Sequence, residues 1–155
     1  MTFNNYTQKS LEAVQSAQNI AVQHSNQQLE QIHLLLALLQ QDGGLTPQLL
    51  RKMGVNAESL EAAAKAEVRN LPTVTGSREA DRFYISAAVD ATFCTAEQQA
   101  QRMKDDFISV EHLLLALIEA ARGSVKNLFE TYRITKEGVL QALQGIRGSQ
   151  RVTTD

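Results

Sequence analysis

The stretch His33-Leu34-Leu35-Leu36-Ala37-Leu38-Leu39 recurs almost unchanged as His112-Leu113-Leu114-Leu115-Ala116-Leu117-Ile118, at an offset of 79 residues (112 − 33). The same offset continues downstream, where it pairs Gly44 with Gly123. Self-similarity at a fixed period is the sequence signature of a repeat architecture. The chain is therefore an internal duplication, and each copy takes about half of its length.

The composition is typical of an ordinary globular chain without a strong electrostatic signal. The 155 residues carry a net charge of −2, and 43% of them are hydrophobic. Lys and Arg are scattered rather than clustered, so we expect no nucleic-acid partner. No apolar run reaches about 18 residues and the N-terminus lacks a signal-peptide pattern, so we expect no membrane partner. The lone Cys94 favours a reducing compartment, and we expect a cytoplasmic protein.

The spacing of apolar residues predicts an all-α fold of about eight helices, four in each repeat. Thr7 is the expected N-cap of the first helix, and the nearly all-apolar second helix is expected from about Gln31 to Gln40. Thr46 before Pro47 predicts the N-cap and first residue of a short third helix. Asn56 then precedes an Ala-rich fourth helix.

The second repeat predicts the same set of helices. Ser86 stands at the position equivalent to Thr7, Ser109 is the expected cap of the sixth helix, and Thr135 is that of the eighth. No segment shows a convincing strand pattern. Each repeat has two apolar stripes that a four-helix unit does not easily cover alone. The two repeats are therefore expected to pack on each other about a pseudo-twofold axis.

Turn-forming residues and a polar ending predict the domain boundaries. Repeat one is expected to span residues 1–71, the joint 72–79 and repeat two 80–147, all within a single domain of residues 1–147. Residues 148–155 are polar and are predicted to begin a linker to a module that lies outside this sequence.

Motifs for nucleotide, metal or redox chemistry are absent from the sequence. It contains no G-x-x-x-x-G-K-[ST], G-x-G-x-x-G, C-x-x-C or H-E-x-x-H pattern. We therefore expect no catalytic residue, no metal and no cofactor in this chain. His33 and His112 are equivalent in the two repeats, but no Cys or carboxylate recurs around them at ligand spacing. We predict structural histidines that hydrogen-bond a neighbouring helix end.

Acidic residues flank the start of the sixth helix, and two interpretations of them stay open. Asp105 and Glu111 could stabilise the helix by capping, because free amides and the helix dipole favour acids at this end. Alternatively they form an acidic rim beside the apolar Phe93, Phe107 and Leu113, which would grip an extended peptide. A paired-carboxylate hydrolase is disfavoured, since nothing marks a nucleophile or a substrate pocket.

Several of these motifs together resemble one protein family. They are Thr7 at the start of the first helix, the stretches 33–39 and 106–118, and the Gly-punctuated helix after each leucine run. The pattern is similar to the double Clp N-terminal repeat, and the resemblance covers essentially the whole chain. The ending, residues 146–153, also resembles the passage that leads, in ClpB-type chaperones, toward the first AAA+ ATPase module.

The resemblance implies a substrate-handling module and not an enzyme. ClpB-type proteins are hexameric, ATP-driven disaggregases that thread aggregated polypeptides through a central pore in collaboration with the DnaK chaperone system. ATP and magnesium would belong to the ATPase modules of the parent protein. The isolated chain is expected to be a monomer without a cofactor, and its expected partners are unfolded or aggregated polypeptides.

The resemblance also implies which residues bind substrate. In this family a threonine that opens the first helix and two acids around the start of the sixth helix are implicated in binding aggregates, beside a groove lined by leucines. The positions that match these groove leucines include more polar residues here, such as Thr95 and His112. The predicted substrate-binding residues are Thr7, Phe93, Thr95, Asp105, Phe107, Glu111, His112 and Leu113.

Two further functional classes remain open at this point. The ClpA/ClpC type docks adaptors for a protease, and its ClpC branch resembles a phosphoarginine reader with a glutamate before the histidine of each repeat. Here Glu111 fits that pattern but Ile32 does not, which favours the ClpB type. A free-standing accessory protein made only of this double repeat would act as a docking surface without a motor.

Overall fold

The computed structural model describes residues 3–74 and 84–147, and helices dominate both ranges. Repeat one contributes α1 (Gln8–Gln23), α2 (Gln31–Gln40), α3 (Leu45–Lys52) and α4 (Ala57–Arg69). Repeat two contributes α5 (Ala87–Arg102), α6 (Val110–Ala120), α7 (Gly123–Thr131) and α8 (Lys136–Arg147). The predicted all-α fold with four helices per repeat is confirmed. Residues 75–79 of the predicted joint and the predicted linker 148–155 lie outside the described residues.

The helix starts follow the polar residues that the sequence places there. The Thr7 hydroxyl accepts the Ser10 N–H at 3.2 Å, and the equivalent Ser86 hydroxyl accepts the Val89 N–H at 3.2 Å. The predicted caps Asn56 and Thr135 accept amides three residues onward in the same way, at 2.9 and 3.0 Å. These side chains satisfy donors that the first turn of a helix leaves without an intrahelical partner.

The prediction that Thr46 is the N-cap of α3 is wrong. The helix begins at Leu45 with Gly44 as its cap residue, and Thr46 lies buried inside the first turn. Gly43 adopts a left-handed conformation with φ of 61°, which reverses the chain directly after α2. The chain can therefore enter α3 two residues earlier than the Thr-Pro pair predicts.

Two very short strands were not predicted. Strand β1 (Gln28–Leu29) pairs in parallel with β2 (Tyr84–Ile85). A strand of two residues is too short to show the alternation by which strands are recognised in a sequence. The pairing joins the segment before α2 to the segment before α5, so it connects the two repeats.

The repeats are related by a pseudo-twofold axis, because their contacts are reciprocal. The Thr7 N–H donates to the Ile108 carbonyl at 2.9 Å, and the Ser86 N–H donates to the Leu29 carbonyl at 3.0 Å. Ser86 and Ile108 lie 79 residues after Thr7 and Leu29, respectively. Each repeat thus gives the same groups to the other, as a twofold arrangement requires.

The two leucine helices form the centre of the core. Every residue from 31 to 39 in α2 and from 110 to 117 in α6 is buried. Helix α1 packs on α2, α5 packs on α6, and α2 contacts α6 across the pseudo-axis. Burial on all sides explains why these helices lack a polar face. In the two described ranges, no helix is long and apolar enough to cross a membrane.

Candidate functional site

The buried histidine of repeat one hydrogen-bonds the backbone at the start of α2. His33 Nδ1 accepts the Glu30 N–H at 2.9 Å, and its Nε2 lies 2.8 Å from the Asn26 side-chain oxygen. The oxygen can only accept, so the proton of the neutral ring resides on Nε2. Both ring nitrogens are occupied by hydrogen bonds, which agrees with the predicted structural role, but the backbone partner lies at the start of the histidine's own helix and not at a neighbouring helix end.

Repeat two repeats this arrangement with a carboxylate in place of the amide. His112 Nδ1 accepts the Ser109 N–H at 2.9 Å, and Nε2–H donates to Asp105 Oδ2 at 2.6 Å. Asp105 is the counterpart of Asn26 at the 79-residue offset. Burial lowers the pKa of His112, and the hydrogen bond to Asp105 acts in the opposite direction.

We expect the histidine of repeat one to make folding stability sensitive to mild acid. Burial, with a smaller effect from His24, lowers the pKa of His33 from 6.5 to about 4. Between these pH values the unfolded chain binds a proton that the folded chain does not, so the free energy of unfolding falls as the pH decreases from 6.5 toward 4. We expect a loss of up to about 3 kcal/mol, at about 1.4 kcal/mol per pKa unit.

Urea unfolding at several pH values across this window would measure the effect. The His33→Gln variant is less stable at neutral pH but loses part of the pH dependence, because the ring that resists protonation is gone. If the free energy of unfolding changes with pH equally in the variant and the parent, the pH dependence does not come from His33.

The two acids before and within α6 are paired with Arg147 at the end of α8. One guanidinium nitrogen of Arg147 contacts Asp105 Oδ1, and the other lies 3.5 Å from Glu111 Oε2. The Ser109 hydroxyl donates to the other oxygen of Glu111. The side chains of Asp105, Glu111 and Arg147 are 0%, 8% and 11% exposed. We call Asp105, Ser109, Glu111, His112 and Arg147 the charged cluster.

The contacts within the charged cluster limit how Asp105 and Glu111 can bind a ligand. Both carboxylates already take hydrogen bonds and opposite charge from the protein itself, so neither stands on the surface as a free anionic rim. In the described part of the chain, no group of three or more His, Cys, Asp or Glu side chains is placed to hold a metal ion. The charged cluster therefore primarily connects the end of α8 to the start of α6.

An open pocket of about 270 Å³ lies directly beside the charged cluster. Its walls come from both repeats, and we call it the inter-repeat groove. Thr7 and Lys9 at the start of α1 form one side, Gln41 and residues 43–45 in the α2–α3 turn form the second, and residues 109–111 at the start of α6 form the third. The Gln41 side chain donates to the Lys9 carbonyl at 2.9 Å and bridges two of these sides.

The structure separates the predicted site residues into three groups. Thr7 and Glu111 line the inter-repeat groove, and Asp105 lies behind Glu111 in the charged cluster. Phe93, His112 and Leu113 have no exposed surface and present nothing to a ligand in this structure. Phe93 instead packs edge-on against Phe3, with ring centroids 5.4 Å apart. Thr95 and Phe107 are half-buried and do not line the groove.

Several groove residues escaped the sequence reasoning. No binding role was predicted for Gly43, Gly44 and Leu45 in the α2–α3 turn, or for Val110 at the start of α6. These segments meet because the start of α6 packs against repeat one, which is a long-range contact. One local signal was present, since Gly44 has no room for a side chain: a Cβ there would lie 2.9 Å from Gln41 Cβ.

Comparison with known sequences gives a consistent result. The family model described as "Clp repeat (R) N-terminal domain" matches residues 5–132. Proteins named chaperone protein ClpB from Bacillus cereus and Clostridium tetani are 41% and 36% identical to the chain over 155 residues. These alignments cover 99% of the chain but 18% of each relative, so the chain spans about a fifth of their length.

Solved structures share the fold. The N-terminal domain of Hsp104 from Candida albicans superposes with a TM-score of 0.82 at 22% identity, and each chain is covered to 97%. The N-terminal domain of ClpD from Arabidopsis thaliana superposes with a TM-score of 0.71 at 20% identity, covering 96% of this chain and 98% of that one.

Proposed function

Because the chain belongs to the Clp repeat N-terminal domain family, we propose that it binds unfolded or aggregated polypeptides as the amino-terminal domain of a ClpB-type disaggregase. The names of the relatives, chaperone protein ClpB, support this assignment. The observation that carries the proposal is the open inter-repeat groove with Thr7 and Glu111 in its walls. The ATPase activity, ATP and magnesium binding, hexamer formation and collaboration with DnaK are proposed for the rest of the parent protein.

The size and chemistry of the groove suit side chains of an extended polypeptide. Its volume of about 270 Å³ is slightly below the roughly 300–1,000 Å³ typical of small-molecule sites. Its exposed lining is mostly apolar, with Leu45 and Val110 among the contributing side chains. A few apolar side chains of an unfolded segment can enter, while the backbone groups of the α2–α3 turn are available at the edge.

Although Glu111 is already paired with Arg147, we propose that it gives the groove a preference for cationic side chains near the apolar ones. One of its oxygens lies 3.5 Å from Arg147 and the other accepts the Ser109 hydroxyl. The longer of these contacts is the weaker one, and a lysine or arginine of the substrate can compete for that oxygen. Asp105 and His112 then act by holding the start of α6 in place, and Phe93 and Leu113 by packing beneath it.

Such a groove binds weakly, and weak binding is compatible with the proposed role. The pocket immobilises only a few side chains, so the gain per domain is small. In a hexamer, several tethered domains contact one aggregate, and linkage converts later contacts into intramolecular ones. The proposed parent therefore engages an aggregate through many low-affinity contacts at once.

An NMR titration with a capped hexapeptide of alternating leucine and arginine tests the proposal. We expect amide shifts confined to the groove, at Thr7, Gly43, Gly44, Val110 and Glu111. An unfolded polypeptide, such as a reduced and carboxymethylated globular protein, should shift the same amides. Saturating peptide without any shift in this set would exclude the groove and favour adaptor docking as the function.

A matched pair of leucine variants separates binding from stability. Leu45 and Leu128 are both half-buried, but only Leu45 lines the groove. We expect Leu45→Ala to weaken peptide affinity about five- to tenfold, as the loss of roughly one apolar contact implies. Leu128→Ala should change the affinity less than about twofold while costing similar stability. Equal effects of the two substitutions on affinity would contradict the groove assignment.

A further inference from the structure

The pseudo-twofold axis generates a second position equivalent to the inter-repeat groove. Its walls would be the start of α5 at Ser86 and Ala88, the α6–α7 turn from Ala120 to Ser124, and the start of α2. The same reciprocal backbone contacts frame both positions. The two positions differ at several residues, among them the first residue of the contributing leucine helix, which is Val110 at the open groove and Gln31 at its counterpart.

The Gln31 side chain spans the second position from wall to wall. Its amide nitrogen donates to the Thr92 hydroxyl of α5 at 3.0 Å and to the Ala120 carbonyl at the end of α6 at 2.9 Å. Its amide oxygen accepts the Arg122 N–H at 3.1 Å. The Ala120 and Arg122 groups belong to the wall formed by the α6–α7 turn, and Thr92 lies on α5, beyond the residues that form the wall at its start.

Gln31 is well suited to hold this position closed. It is buried, and both its donor and acceptor functions are used, so its amide carries no desolvation penalty that would expel it. Val110 cannot do the same at the open groove, because a branched apolar side chain has no group to bond either wall. There the Gln41 side chain bonds the Lys9 carbonyl at the outer edge and leaves the groove open beneath it.

We propose that Gln31 blocks the second, pseudo-symmetric copy of the polypeptide groove and so restricts this domain to one bound segment. The proposal deepens the proposed function and rests on it, since it assigns Gln31 as the residue that decides how many grooves are available. The consequence is a domain with a single direction of approach for its substrate, although its fold contains two equivalent positions.

Exchange of the two residues tests the proposal. Gln31→Val gives the second position the residue of the open groove, and Gln31→Leu fills the same space without hydrogen bonds. We expect a crystal structure of Gln31→Val to contain a second cavity comparable to the first, whereas Gln31→Leu keeps the position filled. Collapse of α5 and the α6–α7 turn onto the introduced valine side chain would overturn the proposal without any reference to peptide binding.

Titration with the leucine–arginine hexapeptide then measures how many peptides each variant binds, and thus the number of open grooves. The parent chain should bind one peptide, and Gln31→Val should bind two, with new amide shifts at Ser86, Ala88 and Arg122. The second site should be the weaker one, because Ile32 stands there in place of Glu111. Gln31→Leu should still bind one peptide. If Gln31→Val keeps its fold but binds only one peptide per chain, the proposal is overturned.

The reciprocal substitution keeps the test decisive if Gln31→Val folds poorly. Val110→Gln should close the open groove and reduce peptide affinity at least tenfold, while the amide dispersion of the NMR spectrum stays that of a folded chain. Unchanged affinity in Val110→Gln would overturn the proposal. Failure of the parent chain itself to bind would refute the proposed function, and the crystal structure of Gln31→Val would still decide whether Gln31 is the closing residue.

Discussion

Replacement of Leu115 by aspartate is expected to abolish the cooperative unfolding transition of this domain. Leu115 lies in the middle of α6 with 0% of its surface exposed, and its neighbours on both sides along the helix are buried as well. A carboxylate at this position has neither water nor a cationic partner, and burying it costs several kcal/mol. That cost is comparable to the roughly 5–15 kcal/mol that stabilises a typical domain.

The same substitution at an exposed leucine provides the control. Leu140 on α8 is 37% exposed, so an aspartate there remains in contact with water. We expect Leu140→Asp to change the free energy of unfolding by about 0.5 kcal/mol or less. Circular dichroism during heating and the dispersion of amide signals distinguish the two variants. A cooperative transition in Leu115→Asp near the parent Tm would overturn the all-buried assignment of α6.

Removal of the guanidinium of Arg147 is expected to destabilise the domain by about 3–5 kcal/mol, the usual cost of breaking a buried ion pair from one side. Arg147→Val leaves the carboxylates of Asp105 and Glu111 close together and almost completely buried, with less compensating positive charge. Part of the response should be local, because α8 ends at Arg147 and can detach from the start of α6. Chemical denaturation of the parent and the variant measures the difference.

Repeat one supplies the control for this prediction. At the positions equivalent to Asp105, Glu111 and Arg147 it has Asn26, Ile32 and Val68, which are uncharged and buried. The triple variant Asp105→Asn, Glu111→Ile, Arg147→Val copies that version into repeat two. We expect it to regain the stability lost in Arg147→Val or to exceed the parent, since a buried charge cluster is often no more stable than apolar packing of similar volume.

The triple variant also separates the two roles considered for the acids. If the charged cluster serves only to join α8 to α6, the stable triple variant should bind the leucine–arginine peptide as well as the parent does. If Glu111 contributes to recognition, as proposed, the affinity should fall while that for an all-leucine peptide is retained. A triple variant that stays as unstable as Arg147→Val would show that the two repeats do not use equivalent packing at this joint.

Local sequence was sufficient to predict the helices and most of their caps. Thr7, Asn56, Ser86 and Thr135 each accept an amide three residues onward, which depends on side chain and backbone within one turn. Thr46 was the exception, because the conformation of Gly43 set the start of α3. The structural role of the histidines was also predicted, but their partners Glu30 and Ser109 lie at the start of the same helix and not at a neighbouring helix end.

The binding residues could be predicted only in part, because local sequence does not show which side chains reach the surface or which distant residues contact them. Phe93 and Leu113 belong to apolar stripes, and a stripe in sequence does not distinguish the wall of a groove from the interior of the core. The acids were recognised, but their partner Arg147 is 42 residues from Asp105 in the chain. Nothing in their local sequence indicates that this arginine reaches them.

By itself the sequence determined the duplication, the eight helices, the burial of the two leucine helices and the capping residues of α1, α4, α5 and α8, because each depends on helical periodicity or on contacts within one turn. Only the tertiary structure decided that Asp105 and Glu111 are both paired with Arg147 and that the groove lies where the α2–α3 turn meets the start of α6. It also decided that Gln31 fills the equivalent position on the other side of the pseudo-axis. These features depend on packing between segments distant in the chain, which local propensity does not encode.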